Sequence, residues 1–317
     1  MISGVSNLSI LSQATRSLNT GQENMADLTQ QLASGRKTSD ITDYSVFDAR
    51  TLLSSRDLQD KSTAYIAAIH SVSPRLSVYQ STLSSLTTLT TNIQSLINNT
   101  QNATAAQEQG LPAQISAAID QVEYYLNQKV GDRYIYSGTR YTQKPIGDIA
   151  ALPTPPAETF PAVSGTLPPY DGAAPGTDAK AYAQDKVMID DNLQLNYGIP
   201  STSLGIQNMI QGLRFALSAT KDSANYDTYM AQAQSYLGTA VNGLRNLEAQ
   251  TAGNQKILAQ AEADQKSTIN LLQTRIGNIQ NVDLNEVSVK INAYQTQLNA
   301  SYAATAKLIN MSILNYL

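Results

Sequence analysis

The sequence predicts a mainly α-helical protein: an elongated helical-bundle or coiled-coil rod formed by the N- and C-terminal segments, with a small β-rich inserted domain. Nine of the eleven prolines fall between Pro145 and Pro200, so this window is not a continuous helix. On both sides of it, apolar residues recur every three or four positions, as in helices with one buried face. The predicted order is therefore helical, non-helical and helical.

The first predicted helix carries an apolar stripe spaced by sevens, and Ser34 and Gly35 interrupt the pattern after it. The stripe consists of Leu11, Leu18, Met25 and Leu32, with Leu8 and Leu28 beside it. Turn residues are frequent in the segment that follows. We expect Ser39, Asp40 or Asp43 to cap the second helix.

The second predicted helix has the spacing of a coiled coil. Its stripe has a mean period of 28/8, or 3.5, rather than the 3.6 of a free helix. The members of the stripe are Ile69, Val72, Leu76, Tyr79, Leu83, Leu86, Thr90, Ile93 and Ile97. Pro74 lies inside it and is expected to kink or interrupt the helix. A third helix is predicted from Pro112, a favourable first-turn residue, to about Val130.

The C-terminal flank repeats this arrangement. A short helix is predicted from 204 to about 219, and a long helix follows from Tyr226. The stripe of the long helix consists of Tyr229, Tyr236, Ala240, Leu244, Leu247, Leu258, Ala261, Ile269, Leu272, Ile276 and Ile279. Three glycines are each expected to weaken it by roughly 1 kcal/mol relative to Ala: Gly238, Gly243 and Gly253. "NVDLNE" breaks the pattern, and a last helix begins near Leu284.

The middle of the chain has strand character at "DRYIYSG" (132–138) and "KVMIDDNLQLNYG" (186–198). We therefore expect the first and last helices to pair across an insert, and the second and second-last helices likewise. The predicted segments are an assembly helix and loop at 1–40, half of the helical core at 41–143, a Pro-rich and β-rich outer insert at 144–200, the other half of the core at 201–283, and a C-terminal assembly helix at 284–317.

Composition excludes several classes of function. Only 15% of residues are charged and the net charge is −4, which argues against nucleic acid as a partner. The chain has no cysteine and one histidine, so Cys-based and two-histidine metal sites are not expected. No apolar run is long enough to span a membrane, and the N-terminus lacks the features of a Sec signal peptide.

No catalytic or cofactor site is predicted. His70, next to Ile69 in the coiled-coil segment, is interpreted as an ordinary, partly exposed helix residue. Phosphate-binding glycine motifs are missing from the sequence. Asp190 and Asp191 are adjacent where a strand pattern stops, so their side chains point apart and favour a turn or solvated edge over a shared acid–base pair.

The last predicted helix has a regular apolar stripe that continues to the final residue of the sequence. Ordering each residue costs about 1–2 kcal/mol, so a lone pair of such helices is marginally stable. We expect the terminal helices to stay loose in the monomer and to order when other chains cover their apolar faces. The predicted assembly interface comprises Leu8, Leu11, Leu18, Met25, Leu32, Ile291, Tyr294, Leu298, Tyr302, Ile309, Ile313 and Leu317.

Both ends of the sequence resemble the bacterial flagellins and their relatives at the hook–filament junction. "LTQQLASGRKTSDITDYSVFDARTLLSSR" (28–56) is similar to the family's "L-[SA]-S-G-[KR]-[RK]" segment. "NVDLNEVSVKINAYQTQLNASYAATAKLINMSILNYL" (281–317) is similar to its C-terminal signature, which finishes "S-[IL]-L-N-[YF]-L". The resemblance covers roughly residues 1–140 and 200–317 and is absent from the Pro-rich middle.

Within the family, the sequence is closer to the junction members than to filament flagellins. "VGDRYIYSGTRYTQKPI" (130–146) is similar to the junction members' "R-Y-[LI]-[FY]-[SA]-G" segment, where a strand follows the third helix. The small single insert fits the same members. Filament flagellin remains the alternative, and a secreted enzyme or carbohydrate-binding module in the insert is a third hypothesis with little support.

The resemblance implies a structural, non-enzymatic role in the bacterial flagellum and in motility. It implies type III export as an unfolded chain without a cleaved signal, and an extracellular location. An export chaperone is expected to cover the C-terminal helix inside the cell. The implied partners outside are copies of the same chain in a ring, a neighbouring hook-associated protein and filament flagellin; neither nucleic acid nor membrane is expected.

Overall fold

The structure, a computed structural model, describes residues 2–100, 110–151, 180, 183–221 and 224–314. Helix α1 spans Ile2–Ser34, α2 Val46–Thr100, α3 Leu111–Leu126, α4 Leu204–Lys221, α5 Tyr226–Gln280 and α6 Leu284–Leu314. The strands are short and antiparallel: β1 (Lys129–Val130) pairs with β2 (Arg133–Tyr134), and β3 (Lys186–Asp190) with β4 (Leu193–Asn196). The predicted mainly α-helical fold class with a small β part is confirmed.

The chain forms two compact units, one of residues 1–61 and 268–317 and one of residues 62–267. In the first unit, α1 packs against α6. Gly35 ends α1 with a φ of +68°, a conformation that glycine adopts without strain. Directly after it, Lys37 N–H donates to Gln280 O at 2.8 Å and Val282 N–H donates to Gly35 O at 3.1 Å. These bonds bring the end of α1 beside the start of α6, so the two helices lie side by side, as predicted for the first and last helices, and they run antiparallel.

The cap of α2 differs from the prediction. Asp40 caps a short 3₁₀ turn at Ile41–Asp43, and its Oδ1 accepts hydrogen bonds from both the backbone N–H and the hydroxyl of Thr42. Helix α2 is capped by Ser45, whose Oγ accepts from Asp48 N–H at 3.1 Å and donates to the Asp48 carboxylate at 2.8 Å. Ser45 immediately precedes the helix, whereas the predicted residues lie too far upstream to reach its first turn.

The second unit has one apolar core, contributed by α2, α3, α4, α5 and the described parts of the inserted segment. All nine residues of the predicted α2 stripe are buried, Thr90 included. Helix α4 is buried along almost its whole length. The described ends of the inserted segment join this core through Ile146, Ile149, Val187 and Ile199.

Helices α2 and α5 lie side by side, as predicted for the second and second-last helices, and they run antiparallel. Gln234 Nε2 on α5 donates to Asn98 Oδ1 on α2 at 2.6 Å. The Thr87 hydroxyl donates to Glu248 further along. The sequence numbers rise on one helix as they fall on the other, which is the signature of antiparallel packing.

Two further expectations need correction. Helix α2 continues through Pro74 without interruption, because buried residues on both sides hold the helix and Pro74 itself is exposed. Helix α3 ends at Leu126, four residues before the predicted Val130, since Lys129 and Val130 pair with Tyr134 and Arg133 in a hairpin.

The strand at 132–138 is shorter than predicted. Only Arg133 and Tyr134 form strand, and Gly131, with a φ of +63°, makes the tight turn before them. Ile135 and Tyr136 leave the strand and turn into the core. The second hairpin matches the prediction well, with Asp191 and the residue after it in the turn between β3 and β4.

A buried network of tyrosines ties the segment directly after β2 to α2. The Tyr79 hydroxyl donates to Ile135 O, and the Tyr136 hydroxyl is hydrogen-bonded to Thr82. The rings of Tyr79 and Tyr136 meet edge to face with centroids 5.0 Å apart. Each buried hydroxyl therefore has a partner, which avoids the cost of an unsatisfied polar group.

The same network continues outward through charged side chains. Arg75 Nη1 on α2 donates to the Tyr197 hydroxyl at 2.8 Å, and the Tyr141 hydroxyl donates to Asp185 Oδ1 at 2.6 Å. Arg133 stacks over the Tyr141 ring at 4.2 Å. The hydrogen bond to Asp185, together with burial, raises the pKa of Tyr141 to about 12.

Candidate assembly interface

All predicted interface residues except Leu317 belong to the antiparallel pair of α1 and α6. Leu298 is 8% exposed and meets the bare backbone of Gly21, where an added Cβ would lie 2.9 Å from Leu298 Cδ2. Gln22 Nε2 donates to the Tyr302 hydroxyl at 2.5 Å. One face of each helix is thus already packed against the other helix of the same chain.

The remaining predicted residues are incompletely covered. Leu18, Met25, Ile291 and Tyr294 are half-buried, while Leu32 and Tyr302 are exposed, Tyr302 by 46%. Leu8, Leu11, Ile309 and Ile313 belong to α1 and α6, but their side chains lie outside the described part, as does residue Leu317.

Helix α1 buries no side chain among residues 9 and 12–34. In α6, Val287 and Leu298 are the buried residues of the described range 284–307. Tertiary burial provides most of the stability of helices in proteins. A helix of 33 residues without a buried side chain in its described part therefore lacks the cover that would hold it in an isolated chain.

Large exposed apolar side chains are concentrated in the unit that contains these helices. Val46 and Phe47, at the start of α2, are 72% and 76% exposed. The sequence prediction missed them because they precede the regular stripe of α2; two neighbouring apolar residues outside that stripe were the available signal. The set in this unit is Leu32, Val46, Phe47, Leu53, Leu58, Leu271, Leu284, Val289 and Tyr302.

The loop between α1 and α2 is held by polar contacts beside a cavity of about 250 Å³. The Thr38 hydroxyl donates to Asp43 Oδ2 at 2.6 Å, and Tyr44 OH donates to Thr38 O at 3.3 Å. Hydrogen bonds from Thr42 lower the pKa of Asp40. The cavity is lined by Asp27, Gln30, Gln31, Ser34, Arg36, Lys37, Thr38, Ser39 and Asp43.

The residues considered for chemistry have structural partners. His70 is exposed, and its Nε2 lies 3.0 Å from Glu262 Oε1. Lys266 Nζ lies 2.6 Å from the same oxygen, and hydrogen bonds from Lys266 and then His70 lower the pKa of Glu262. These contacts link α2 to α5.

Asp190 and Asp191 do not form a carboxylate pair. Asp190 Oδ1 accepts from Asp191 N–H at 2.6 Å, and Asp191 Oδ1 accepts from the Tyr65 hydroxyl at 2.7 Å. Among the described residues, no group of three His, Cys, Asp or Glu side chains is arranged to hold a metal ion. Within the same ranges, no helix has the length and apolar character needed to cross a membrane.

Comparison with known proteins agrees with this geometry. Residues 222–317 match the family model of the bacterial flagellin C-terminal helical region. The fold is similar to the solved structure of a Vibrio parahaemolyticus protein provisionally assigned as a flagellar hook-associated protein, with a TM-score of 0.57 and 10% sequence identity. That match covers 75% of this chain and 100% of the other. A search of curated proteins found no significant match. The predicted resemblance to the flagellin family is confirmed, most directly in the C-terminal region.

Proposed function

We propose that the protein is a structural component of the bacterial flagellum that joins hook to filament through contacts between subunits. The observation that carries the proposal is the α1–α6 pair, whose C-terminal half matches the flagellin helical region and whose apolar side chains are incompletely covered. Flagellins and hook-associated proteins are structural proteins, which supports a role in packing rather than in catalysis.

The exposed apolar side chains of this unit would stabilise it only if another surface covered them. Burying an apolar side chain contributes about 1.5–3 kcal/mol. Tyr302, Val46 and Phe47 gain little of this in one chain because about half or more of each remains exposed. Contact with further copies would bury them, and it would do so without a ligand or cofactor. Self-association therefore supplies the missing stability of this unit.

The fold match and the insert support a place for the protein at the junction of hook and filament. Hook-associated character is supported by the fold match, and the "RYIYSG" segment at 133–138 is typical of the junction members. Filament flagellin is the second candidate, since the C-terminal region matches the flagellin family model. The protein acts outside the cell in either case, after type III export, with an export chaperone on α6 and with hook-associated protein and flagellin as neighbours.

Immunogold labelling of intact flagella with an antibody against residues 145–200 tests the proposal. Gold confined to a narrow band between hook and filament is the expected result. Gold along the whole filament would replace the junction role with that of filament flagellin. Flagella without gold, from cells that produce the protein, would contradict a flagellar role altogether.

A further inference from the structure

The terminal helices are almost free of charge. Residues 1–22 and 291–317 contain two charged side chains, Arg16 and Lys307. Glu23 is the next charged residue along α1, followed by Asp27. Because the helix pair carries so few charges, the position of each charged side chain influences the register in which two such pairs can pack.

These charges point away from the contact between α1 and α6. At about 100° per residue, Arg16 and Glu23 lie roughly 140° and 160° around α1 from Gly21, the residue that meets α6. Lys307 lies about 180° around α6 from Leu298, the residue that meets Gly21. All three side chains are exposed. The outer face of α1 thus carries both a cation and an anion, whereas the outer face of α6 carries the cation Lys307.

The charges do not satisfy one another within the chain. Arg16 bonds only to Ser12 on its own helix, and Lys290 pairs with Glu286 on α6. Lys307 and Glu23 form no ion pair among the described residues, and they lie on opposite sides of the helix pair. Asp27 is on the rim of the cavity that Arg36 and Lys37 also line, so it has cations nearby.

The register of the helix pair determines what a neighbouring copy would meet. Gly21 and Gln22 lie level with Leu298 and Tyr302, so Arg16 lies within about one turn of the level of Lys307. If the outer face of α6 of one copy packed on the outer face of α1 of the next without a shift, Lys307 would meet Arg16 and be repelled. A shift of seven residues, about 10 Å along the helices, brings Lys307 to Glu23 instead.

We propose that neighbouring copies of this chain associate through the outer face of α6 on the outer face of α1, staggered along the helices by roughly 10–20 Å so that Lys307 meets Glu23. The inference rests on the proposed function and specifies its subunit contact. The contact is heterologous, because two different surfaces meet, and it builds a ring or a helical tube rather than a closed pair. An exposed ion pair adds little affinity, so its effect is to select the stagger.

The absence of cysteine allows a direct test in the full-length chain. The variant with both Glu23→Cys and Lys307→Cys is assembled, collected by sedimentation and oxidised. A ladder of disulfide-linked multimers is expected, because each chain is linked to two neighbours. The single variants can form dimers at most. The matched control carries Asp60→Cys with Lys307→Cys, since Asp60 is equally exposed but lies on α2, and no ladder is expected from it.

The outcomes separate this contact from the proposed function. Sedimenting assemblies without a ladder, or with the same ladder in the control, would overturn the contact and leave the function standing. Failure of the unmodified protein to assemble would contradict both. Charge reversal gives an independent measurement: Lys307→Glu and Glu23→Lys are each expected to weaken assembly only a few-fold at low salt, as for an exposed ion pair, and a mixture of the two chains is expected to recover it.

Discussion

At the scale of single residues, glycines have different roles that composition does not distinguish. The sequence predicts only that Gly238, Gly243 and Gly253 weaken α5. In the structure, Gly243 meets Gly205 where α5 crosses α4, and a Cβ added at Gly205 would lie 2.7 Å from the Gly243 carbonyl carbon. Nothing lies within 4 Å of a Cβ added at Gly253. Of these three glycines of α5, only Gly243 lies against another helix backbone, and its contact with Gly205 joins residues that are distant in the sequence.

Gly205→Ala is expected to destabilise the protein by about 1–3 kcal/mol, because two helix backbones must move apart to admit the methyl group. Gly253→Ala is the matched control and is expected to stabilise by up to about 1 kcal/mol through helix propensity alone. Chemical unfolding followed by circular dichroism measures both. Equal effects of the two substitutions would show that the close crossing is not needed for packing.

The hydrogen bond between Tyr141 and Asp185 predicts a loss of stability at high pH. The pKa of Tyr141 is raised to about 12 in the folded protein, above the value of 10 in the unfolded chain, so the folded state retains the hydroxyl proton more strongly. The contribution is complete below pH 10 and is lost as the pH rises from 10 through 12, where the unfolded chain ionises first.

Unfolding by guanidinium at several pH values between 9 and 11.5 tests this expectation, with Tyr141→Phe as the comparison. The free energy of unfolding of the variant should fall less steeply with pH than that of the unmodified protein. Other buried tyrosines, such as Tyr79 and Tyr136, have raised pKa values through burial that do not depend on Tyr141, so they contribute to both proteins equally. Parallel pH profiles would contradict the assigned role of Tyr141.

At the scale of helices and strands, regular periodicity was the reliable signal. The α2 stripe was predicted residue by residue because a heptad pattern leaves little freedom in which face is buried. Caps were harder to predict, although the Ser45-x-x-Asp48 pattern was visible, because several polar residues nearby compete for the same role. The polar members of the α5 stripe were missed for a related reason.

Asn254 and Gln265 occupy buried positions of α5. Their amide side chains count as polar in a sequence pattern, which predicts that they are exposed. Asn254 Nδ2 donates to Asn196 O and Gln265 Nε2 donates to Ile189 O, both at 3.2 Å. They satisfy carbonyl groups of the β3–β4 hairpin. The burial of such residues cannot be predicted from the sequence, because it depends on where the β3–β4 hairpin packs on α5.

Pro74 leads to a prediction for α2. The residue is exposed inside a continuous helix, where its ring lacks the N–H of the helical hydrogen bond. Pro74→Ala should therefore stabilise the protein by about 1–3 kcal/mol, measured by chemical unfolding. A loss of stability would mean that the packing of the neighbouring Val72 and Leu76 depends on the backbone geometry that proline imposes.

At the scale of the whole molecule, the composition of the sequence predicts an insert between helical flanks but does not define compact units. The predicted boundaries at 40, 143, 200 and 283 follow changes in proline content and periodicity. The compact units instead combine residues 1–61 with 268–317 and enclose residues 62–267. Their limits fall inside α2 and α5, where a continuous helix gives no local signal of a boundary.

Only the first unit depends on the C-terminal residues, because it contains the α1–α6 pair. Deleting residues 302–317 removes the hydrogen bond from Gln22 to Tyr302 and most of the second half of α6. We expect α1 to lose protection from hydrogen exchange, because it has no buried side chain in its described part to hold it otherwise. The unit at 62–267 has its own core and should keep its protection.

The same deletion should abolish assembly, measured by sedimentation of the purified chain and by the presence of flagella on cells. Tyr302→Phe is the control, since it removes the hydroxyl that bonds to Gln22 at a cost of about 1 kcal/mol but keeps the ring and the helix. The control is expected to assemble. Normal flagella in the deletion strain would mean that subunits are joined through surfaces outside the terminal helices, and the exposed Val46 and Phe47 would then be the next surface to test.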